Sequence, residues 1–320
     1  MVISVVIPLY NKAHTIDAAI ASVVAQSFPE WELVVVDDGS RDEGPDVVAR
    51  WAAEDGRIRL IRQPNGGVSA ARNHGVRVAR SERVAFLDAD DVWLPGHLAQ
   101  LDELASKVPD APMWATAYRL QDDSGLDRVV RLREDGSADW YLIDDYFLES
   151  VEREFPVHSS AVMVSRAALQ AVGGFPVGVA SGEDVLTWAR LSCLGAFPMG
   201  RSATAIYMAP PVAPDRRRAA VRRPVSPCPV LAGLDALAGR HPERARSLAL
   251  FRGLWLRIRS MSHLELNERW SALVDVLAAA RCSGLRRRDV LTVLLLCMPY
   301  GLRTQALARS RGYRPARSGA

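Results

Sequence analysis

The sequence predicts a doubly wound, mainly parallel α/β sheet with a helical appendage towards its C-terminal end. Three observations predict it. Short runs rich in β-branched residues alternate with amphipathic stretches from residue 2 to residue 87, the pattern of strands joined by single-helix crossovers. The first two runs are apolar on both faces, as strands of a covered parallel sheet are. Past residue 210 the strand signal gives way to Pro- and Arg-rich sequence and then to amphipathic helices studded with Arg.

The elements follow in order. Val2–Leu9 is a buried strand ending in Pro-Leu-Tyr-Asn, and Ile16, Ala19, Ile20, Val23 and Val24 recur at helical spacing in a helix that stops before Pro29. Trp31–Val36 is a second strand, which runs into Asp37-Asp38-Gly39-Ser40. A helix over Asp46–Ala53, a strand over Ile58–Ile61, a helix opened by Gly66-Gly67 and reaching Ala79, and a strand over Arg83–Leu87 complete the regular alternation. From Ala111 to Tyr207 the pattern is mixed. Strand-like runs at Met113–Leu120 and Ala161–Val164 are set among shorter helices and Gly-rich turns. The expected division is a catalytic domain over 1–209, a linker over 210–229, a basic helical region over 230–308 and a disordered tail over 309–320.

In an open α/β sheet, ligands bind beyond the carboxyl ends of the strands. The chemically informative residues fall there: Pro8 to Asn11, Asp37 to Ser40, and Asp88 to Asp91. FLDADD, Phe86–Asp91, ends an apolar run in three carboxylates within four residues. Alternate residues of an extended segment face one way, so Asp88 and Asp90 would converge on one cation, a hard Mg²⁺ or Mn²⁺. The plainer reading is that these Asp residues cap the helix beginning near Pro95. VVVDDGSRD, Val34–Asp42, offers a strand-end carboxylate to a nucleobase or ribose, or else is an Asp-Gly turn before a helix. In NGGVSAARNHG, Asn65–Gly75, Gly67 and its neighbour permit close approach of a ligand and Arg72 can meet a phosphate or carboxylate; an ordinary glycine turn fits as well. In SGEDVLTWARL, Ser181–Leu191, Glu183 and Asp184 open a helix where acids are favoured by its dipole, and where a general base can also sit.

Taken together, VVIPLYN at Val5–Asn11, VVVDDGSRD, NGGVSAARNHG, FLDADD, GGF at Gly173–Phe175 and GEDVLTW at Gly182–Trp188 resemble family 2 glycosyltransferases of the glycosyltransferase A fold. The resemblance covers residues 1 to 207. It implies an inverting, metal-dependent enzyme that moves a sugar from a UDP- or dTDP-linked donor to a hydroxyl of a glycan or lipid-linked acceptor in cell-surface polysaccharide or glycoconjugate synthesis. By the same resemblance Pro8, Tyr10, Asn11, Asp37, Asp38, Gly67, Arg72 and Asp88 would bind the nucleotide. Asp38 would accept from the base imide. The D-x-D residues Asp88 and above all Asp90 would hold the metal, and Asp184 would be the catalytic base with Glu183 beside it. A sugar-phosphate nucleotidyltransferase shares the layout, but it needs a glycine-rich phosphate loop after the first strand, where this chain reads PLYNKAHT. A non-catalytic nucleotide-sugar-binding protein is the remaining alternative.

Composition bounds the rest. The chain has 320 residues, 49% of them apolar, and a net charge of +3. That charge is uneven: residues 1–210 carry −11 and residues 211–320 carry +14. The basic region therefore faces something anionic. Nearly all the cations of the whole chain are Arg, and only Lys12 and Lys107 are Lys. Cys193, Cys228, Cys282 and Cys297 show no metal-binding spacing and fit reduced thiols. The N-terminal sequence does not read as a signal peptide, and no run of 18 apolar residues exists. A cytoplasmic protein is expected. Val290–Met298, VLTVLLLCM, flanked by Arg286-Arg287-Arg288 and Arg303, suits a helix lying in the cytoplasmic face of an anionic membrane, or one packed on the catalytic domain or a second copy. No helix-turn-helix pattern or aromatic interleaving supports nucleic-acid binding.

Overall fold

The computed structural model describes residues 2–122, 125–133, 138–209 and 221–310. The first half of the expected linker and nearly all of the expected tail, 210–220 and 311–320, lie outside the described residues. The chain forms two compact units, Met1–Leu120 with Arg128–Met208, and Gln121–Asp127 with Ala209–Ala320.

The first unit begins with β1 (Ile3–Leu9), α1 (Ile16–Val24), β2 (Trp31–Asp37), α2 (Gly44–Glu54), β3 (Ile58–Arg62), α3 (Val68–Val78) and β4 (Arg83–Phe86). These strands lie in the order β3-β2-β1-β4, all parallel. β2 is buried along its whole length and β1 at all but one position; their sequences are largely apolar, and the buried Ser4 hydroxyl donates to Glu32 across the pair at 2.6 Å. Helix α3 lies directly on β1: a Cβ at Gly75 would come within 2.3 Å of Val6 Cγ1, so only glycine lets the two backbones approach this far. The register sets Leu9 opposite Asp37 and Val6 opposite Phe86, which brings the ends of β1, β2 and β4 to one edge.

The chain continues with β5 (Val92–Trp93), α4 (His97–Lys107), β6 (Met113–Gln121), β7 (Asp127–Val129), β8 (Trp140–Ile143), α5 (Tyr146–Glu152), β9 (Val162–Ser165), α6 (Arg166–Ala171), α7 (Glu183–Ser192) and β10 (Phe197–Met208). Here the sheet changes character. It extends from β4 through β9, β6 and β10 to β5, and β9 is antiparallel to β4 and β6, as β10 is to β5 and β8. The expected mainly parallel sheet is thus parallel from β3 to β4; beyond it β9 runs against its neighbours β4 and β6, and β10 pairs antiparallel with the short strands β5 and β8, in the region whose sequence pattern is mixed. The boundary runs beside β4, whose tip carries FLDADD.

The second unit is helical: α8 (Pro229–Arg240), α9 (Ala245–Glu265), α10 (Arg269–Ser283), α11 (Arg287–Cys297) and α12 (Tyr300–Ser310). Leu264, Ala272, Leu296 and Leu307 form a core cluster. A buried ion pair crosses it: Arg257 donates to both oxygens of Asp289 at 2.7 Å, to Ser283 Oγ at 2.7 Å and to the Gly284 carbonyl at 2.9 Å. Arg259 pairs with Asp275 at 3.1 Å. Arg303, expected in the cationic flank of the apolar stretch, is instead fully buried and donates to Asn267 Oδ1. Four helix positions after Pro299, it points back into the bundle rather than outwards. No described helix is long and apolar enough to cross a membrane.

Candidate active site

The site is built at the carboxyl edge of the parallel strands. Beyond β1, Tyr10 is exposed and Asn11 takes a left-handed conformation, φ +51°, which Asn tolerates better than most residues. Its backbone N–H donates to Ser40 Oγ at 3.1 Å, and its Oδ1 accepts from the Arg41 N–H at 2.8 Å. The tip of β1 is thereby stitched to the tip of β2. Asp37 closes that tip by accepting from the Ser40 N–H at 2.9 Å. Pro8, half-buried, lies opposite Val36 within the ladder.

Asp38 is buried and already occupied. Its carboxylate accepts from Gln63 Nε2 at 2.7 Å and from the Gly66 and Gly67 N–H groups at 2.8 Å. A carboxylate offers about four lone-pair positions, so three internal donors leave little for a base. What Asp38 visibly does is hold the Gly66-Gly67 loop that opens α3, where Gly67 has φ +86°. The DDGS and NGG motifs are therefore one structural device.

Arg72 joins the remaining motifs. Its guanidinium is 3% exposed and donates to Asp88 Oδ1 at 2.7 Å and to Glu183 Oε1 at 3.2 Å. It stacks 5.2 Å from the Phe175 ring, which packs edge-on against Phe86 and Trp188. The next residue, Asn73, clamps the Phe175 backbone: Nδ2 donates to its carbonyl at 2.8 Å and Oδ1 accepts from its N–H at 2.9 Å. Adjacent residues of α3 thus fix GGF and GED, and the aromatic trio fills the space behind them.

FLDADD is not extended. The Asp91 N–H donates to the Asp88 carbonyl at 3.0 Å, a tight turn in which alternate residues do not share a face. Asp88 turns to Arg72. Asp90, expected beside it, turns to Lys12, whose Nζ lies 2.5 Å from Asp90 Oδ2. Asp91 turns inwards and accepts from Ser160 Oγ at 2.5 Å and the Met208 N–H at 2.9 Å. Ser160 Oγ in turn accepts from the Asp88 N–H at 3.0 Å. His158 sits between the rings of Tyr118 and Tyr207 and accepts through Nδ1 from the Ser160 N–H at 3.1 Å. Among the described residues, the ligand atoms of Asp88, Asp91 and His158 lie within 4.8 Å of one another. Lys12, Ser160 and Asn73 escaped the sequence reading. Lys12 had a signal, being one of two lysines in the chain and two residues past Tyr10. Ser160 had none.

Carboxylates outnumber cations here, and the titration of each group follows. Burial opposes ionisation of Asp88, but the Arg72 charge overcomes it and holds the carboxyl below its ordinary range. Burial, with the Asp88 charge, pushes Asp91 well above that range. Burial and then Asp184 raise Glu183, and burial raises Asp184 against the pull of Arg72. Arg72 itself is raised, because Asp88 and Glu183 outweigh its desolvation. Burial lowers His158 to about 4, so it is neutral at pH 7. Asp184, partly exposed at the first turn of α7, makes no ion pair among the described residues; its Oδ1 accepts from the Val185 N–H at 2.7 Å.

Against known proteins, the family described as Glycosyl transferase family 2 matches residues 4–166, half of the chain. The chain belongs to this family. Succinoglycan biosynthesis protein ExoW of Rhizobium meliloti is 42% identical over 118 residues, 36% of this chain and 37% of its own length. The UDP-Glc:α-D-GlcNAc-diphosphoundecaprenol β-1,3-glucosyltransferase WfgD of Escherichia coli is 39% identical over 97 residues, 30% of this chain and 38% of its own length. The chain spans roughly a third of the curated relatives it matches, such as the 30%, 33% and 35% found for three glycosyltransferases of unassigned or putative role. The crystal structure of S. aureus TarS 1–349 in complex with UDP-GlcNAc superposes with a TM-score of 0.61 at 17% identity, covering 97% of this chain and 90% of that one. That likeness carries the fold alone, a sheet of the glycosyltransferase A type.

Proposed function

We propose that this chain transfers a sugar from a nucleoside diphosphate sugar, UDP- or dTDP-linked, to a hydroxyl of a glycan or lipid-linked acceptor, with inversion at the anomeric carbon. The catalytic part is residues 1–209. The work is done at the cytoplasmic face of a membrane, in the assembly of a surface polysaccharide or glycoconjugate. The names of ExoW and WfgD support the process and the acceptor class, and the UDP-GlcNAc complex of TarS supports the donor class. The observation that carries the reading is Arg72, which ties the β4 tip to the first turn of α7 and so brings the donor-side and acceptor-side carboxylates together.

Arg72 bonds to Asp88 and Glu183 and not to Asp184, which feels its charge but makes no ion pair among the described residues. A base with a raised pKa accepts a proton more readily, and burial raises Asp184. Asp184 therefore takes the proton of the acceptor hydroxyl as its oxygen attacks the anomeric carbon. One displacement needs no carboxylate nucleophile on the enzyme. Tyr10, Asn11 and the Asp38-ordered Gly66-Gly67 loop form the wall for the nucleotide, with Pro8 and Asp37 fixing its strands. The β4 tip suits a divalent ion, Mn²⁺ or Mg²⁺: Asp88 is held ionised, oxygen donors suit such ions, and Asp91 and His158 lie beside it. Asp90 joins this set when Lys12 releases it. Bound there, the ion would supply positive charge to the departing diphosphate.

Asp184→Asn tests the assignment. Transfer from a UDP-sugar should fall by about 10²- to 10⁴-fold, while donor affinity, read by calorimetry with Mn²⁺ present, stays unchanged. Near-normal transfer by this variant would overturn the role given to Asp184.

A further inference from the structure

Helices α10 and α11 are apolar on two sides. Inwards, α10 presents Ala272, Val276 and Ala279, and α11 presents Leu296. Outwards, α10 carries Trp270, Val274 and Leu277 at i, i+4 and i+7, on one stripe that ends in Arg281. Trp270 is 76% exposed. On α11, Leu291 and Leu294 are 57% and 58% exposed, with Val290 and Val293 beside them and Arg287 and Arg288 one turn before. Leu285, between the helices, is 72% exposed. Single exposed apolar residues need no explanation, but a contiguous run of them does.

Charge decides what covers these stripes. From 269 to 303 the sequence has two acids, Asp275 and Asp289. Both are buried, and both are consumed by arginines of α9, Arg259 and Arg257. The outward side is left with cations and no acid. Arg281, Arg287 and Arg288 are exposed and make no ion pair among the described residues. A second copy placed by two-fold symmetry would set the same cations against each other. Residues 311–320, RGYRPARSGA, add three arginines and little apolar surface to cover leucines. An anionic bilayer satisfies both halves of the surface at once: acyl-chain boundary for Trp and Leu, phosphates for Arg.

We infer that the outward stripes of α10 and α11 dock on an anionic lipid surface, with Trp270, Leu277, Leu285, Leu291 and Leu294 in the headgroup–acyl boundary. This names the partner surface for the membrane location proposed above and rests on that reading. The buried Arg257–Asp289 and Arg259–Asp275 pairs serve it by removing the acids that would repel the phosphates.

The test is co-sedimentation of the full chain with vesicles of phosphatidylcholine alone and of phosphatidylcholine mixed with phosphatidylglycerol. The wild type should partition onto the mixed vesicles at least about tenfold more strongly and release as salt is raised. Leu291→Glu with Leu294→Glu should weaken partitioning about tenfold or more at unchanged Tm, and Trp270→Glu with Leu277→Glu should do the same for α10. Arg287→Glu with Arg288→Glu should abolish the preference for phosphatidylglycerol. Leu194→Glu, exposed in the first unit, should change nothing. Equal binding to both vesicle types, or variants that bind like the wild type, overturns the inference. So does a wild-type dimer in analytical ultracentrifugation that the leucine variants dissolve. No donor or acceptor enters the assay, so its failure leaves the transfer reading standing, and failed transfer leaves the docking surface standing.

Discussion

The two units each bury arginine against carboxylate, and they do so to opposite effect. In the helical unit Arg257 meets both oxygens of Asp289, a hydroxyl and a carbonyl, so every nitrogen of its fork has a partner. In the sheet unit Arg72 has one bond each to Asp88 and Glu183, and its Nε is buried with no partner. Around Arg72 lie more acids than it can neutralise, and burial, with their mutual repulsion, raises Asp91, Glu183 and Asp184. A balanced buried pair holds helices together. An unbalanced one keeps charge in reserve for a ligand or a proton.

Substitution separates the two. Arg72→Met should have the largest effect, because it leaves Glu183 buried and Asp88 half-buried without their cation: about 3–5 kcal/mol of stability, together with transfer activity in whatever still folds. Arg257→Met should lose a similar or slightly smaller stability, about 3 kcal/mol, yet leave turnover per folded molecule intact. Chemical denaturation and a transfer assay on the same preparations read both. If Arg257→Met lost turnover as Arg72→Met does, the contrast between the units would fail.

Acid gives a smaller, graded effect, whose histidine part lies in the sheet unit. Burial pulls His97 down to about 3 and His158 to about 4. Below about 6.5, the ordinary imidazole value, the unfolded chain takes up protons that the folded chain refuses. The stability held by these two groups is complete above that pH and lost as pH falls towards 3 to 4. The raised acids act with the opposite sign in an overlapping window, so the measurement is a difference: His97→Gln should flatten the acid limb of the stability–pH curve relative to wild type. Gly75→Ala should come last, at about 1–3 kcal/mol, since Val6 must move to admit its methyl group.

Much of this was legible in sequence. The strands β1 to β4 were, because short apolar runs alternate there with amphipathic helical stretches. So were the motifs at their tips, because each needs a fixed residue type at a fixed place. The mixed half was legible only as a change of pattern, since β6, β9 and β10 are brought together by pairing that no local period encodes. Within the site, Asp88, Arg72 and Glu183 meet as expected of one cleft. The direction of Asp90 was not readable, because a single turn at Asp88–Asp91 replaces the alternation of a strand. Nor was the employment of Asp38, whose partners lie 25 to 29 residues on. Arg303 misled for a similar reason: a charged residue beside an apolar run looks like a flank until the bundle is seen to close over it.

The clamp formed by Arg72 and Asn73 has one last consequence. Two neighbouring side chains grip backbone and carboxylate about a hundred positions downstream, at Phe175 and Glu183. The short span between those grips, Pro176 to Gly182, is pinned at both ends and largely exposed in the middle. Evolution or an engineer can lengthen, shorten or rewrite it while Asp184 stays where the helix start puts it.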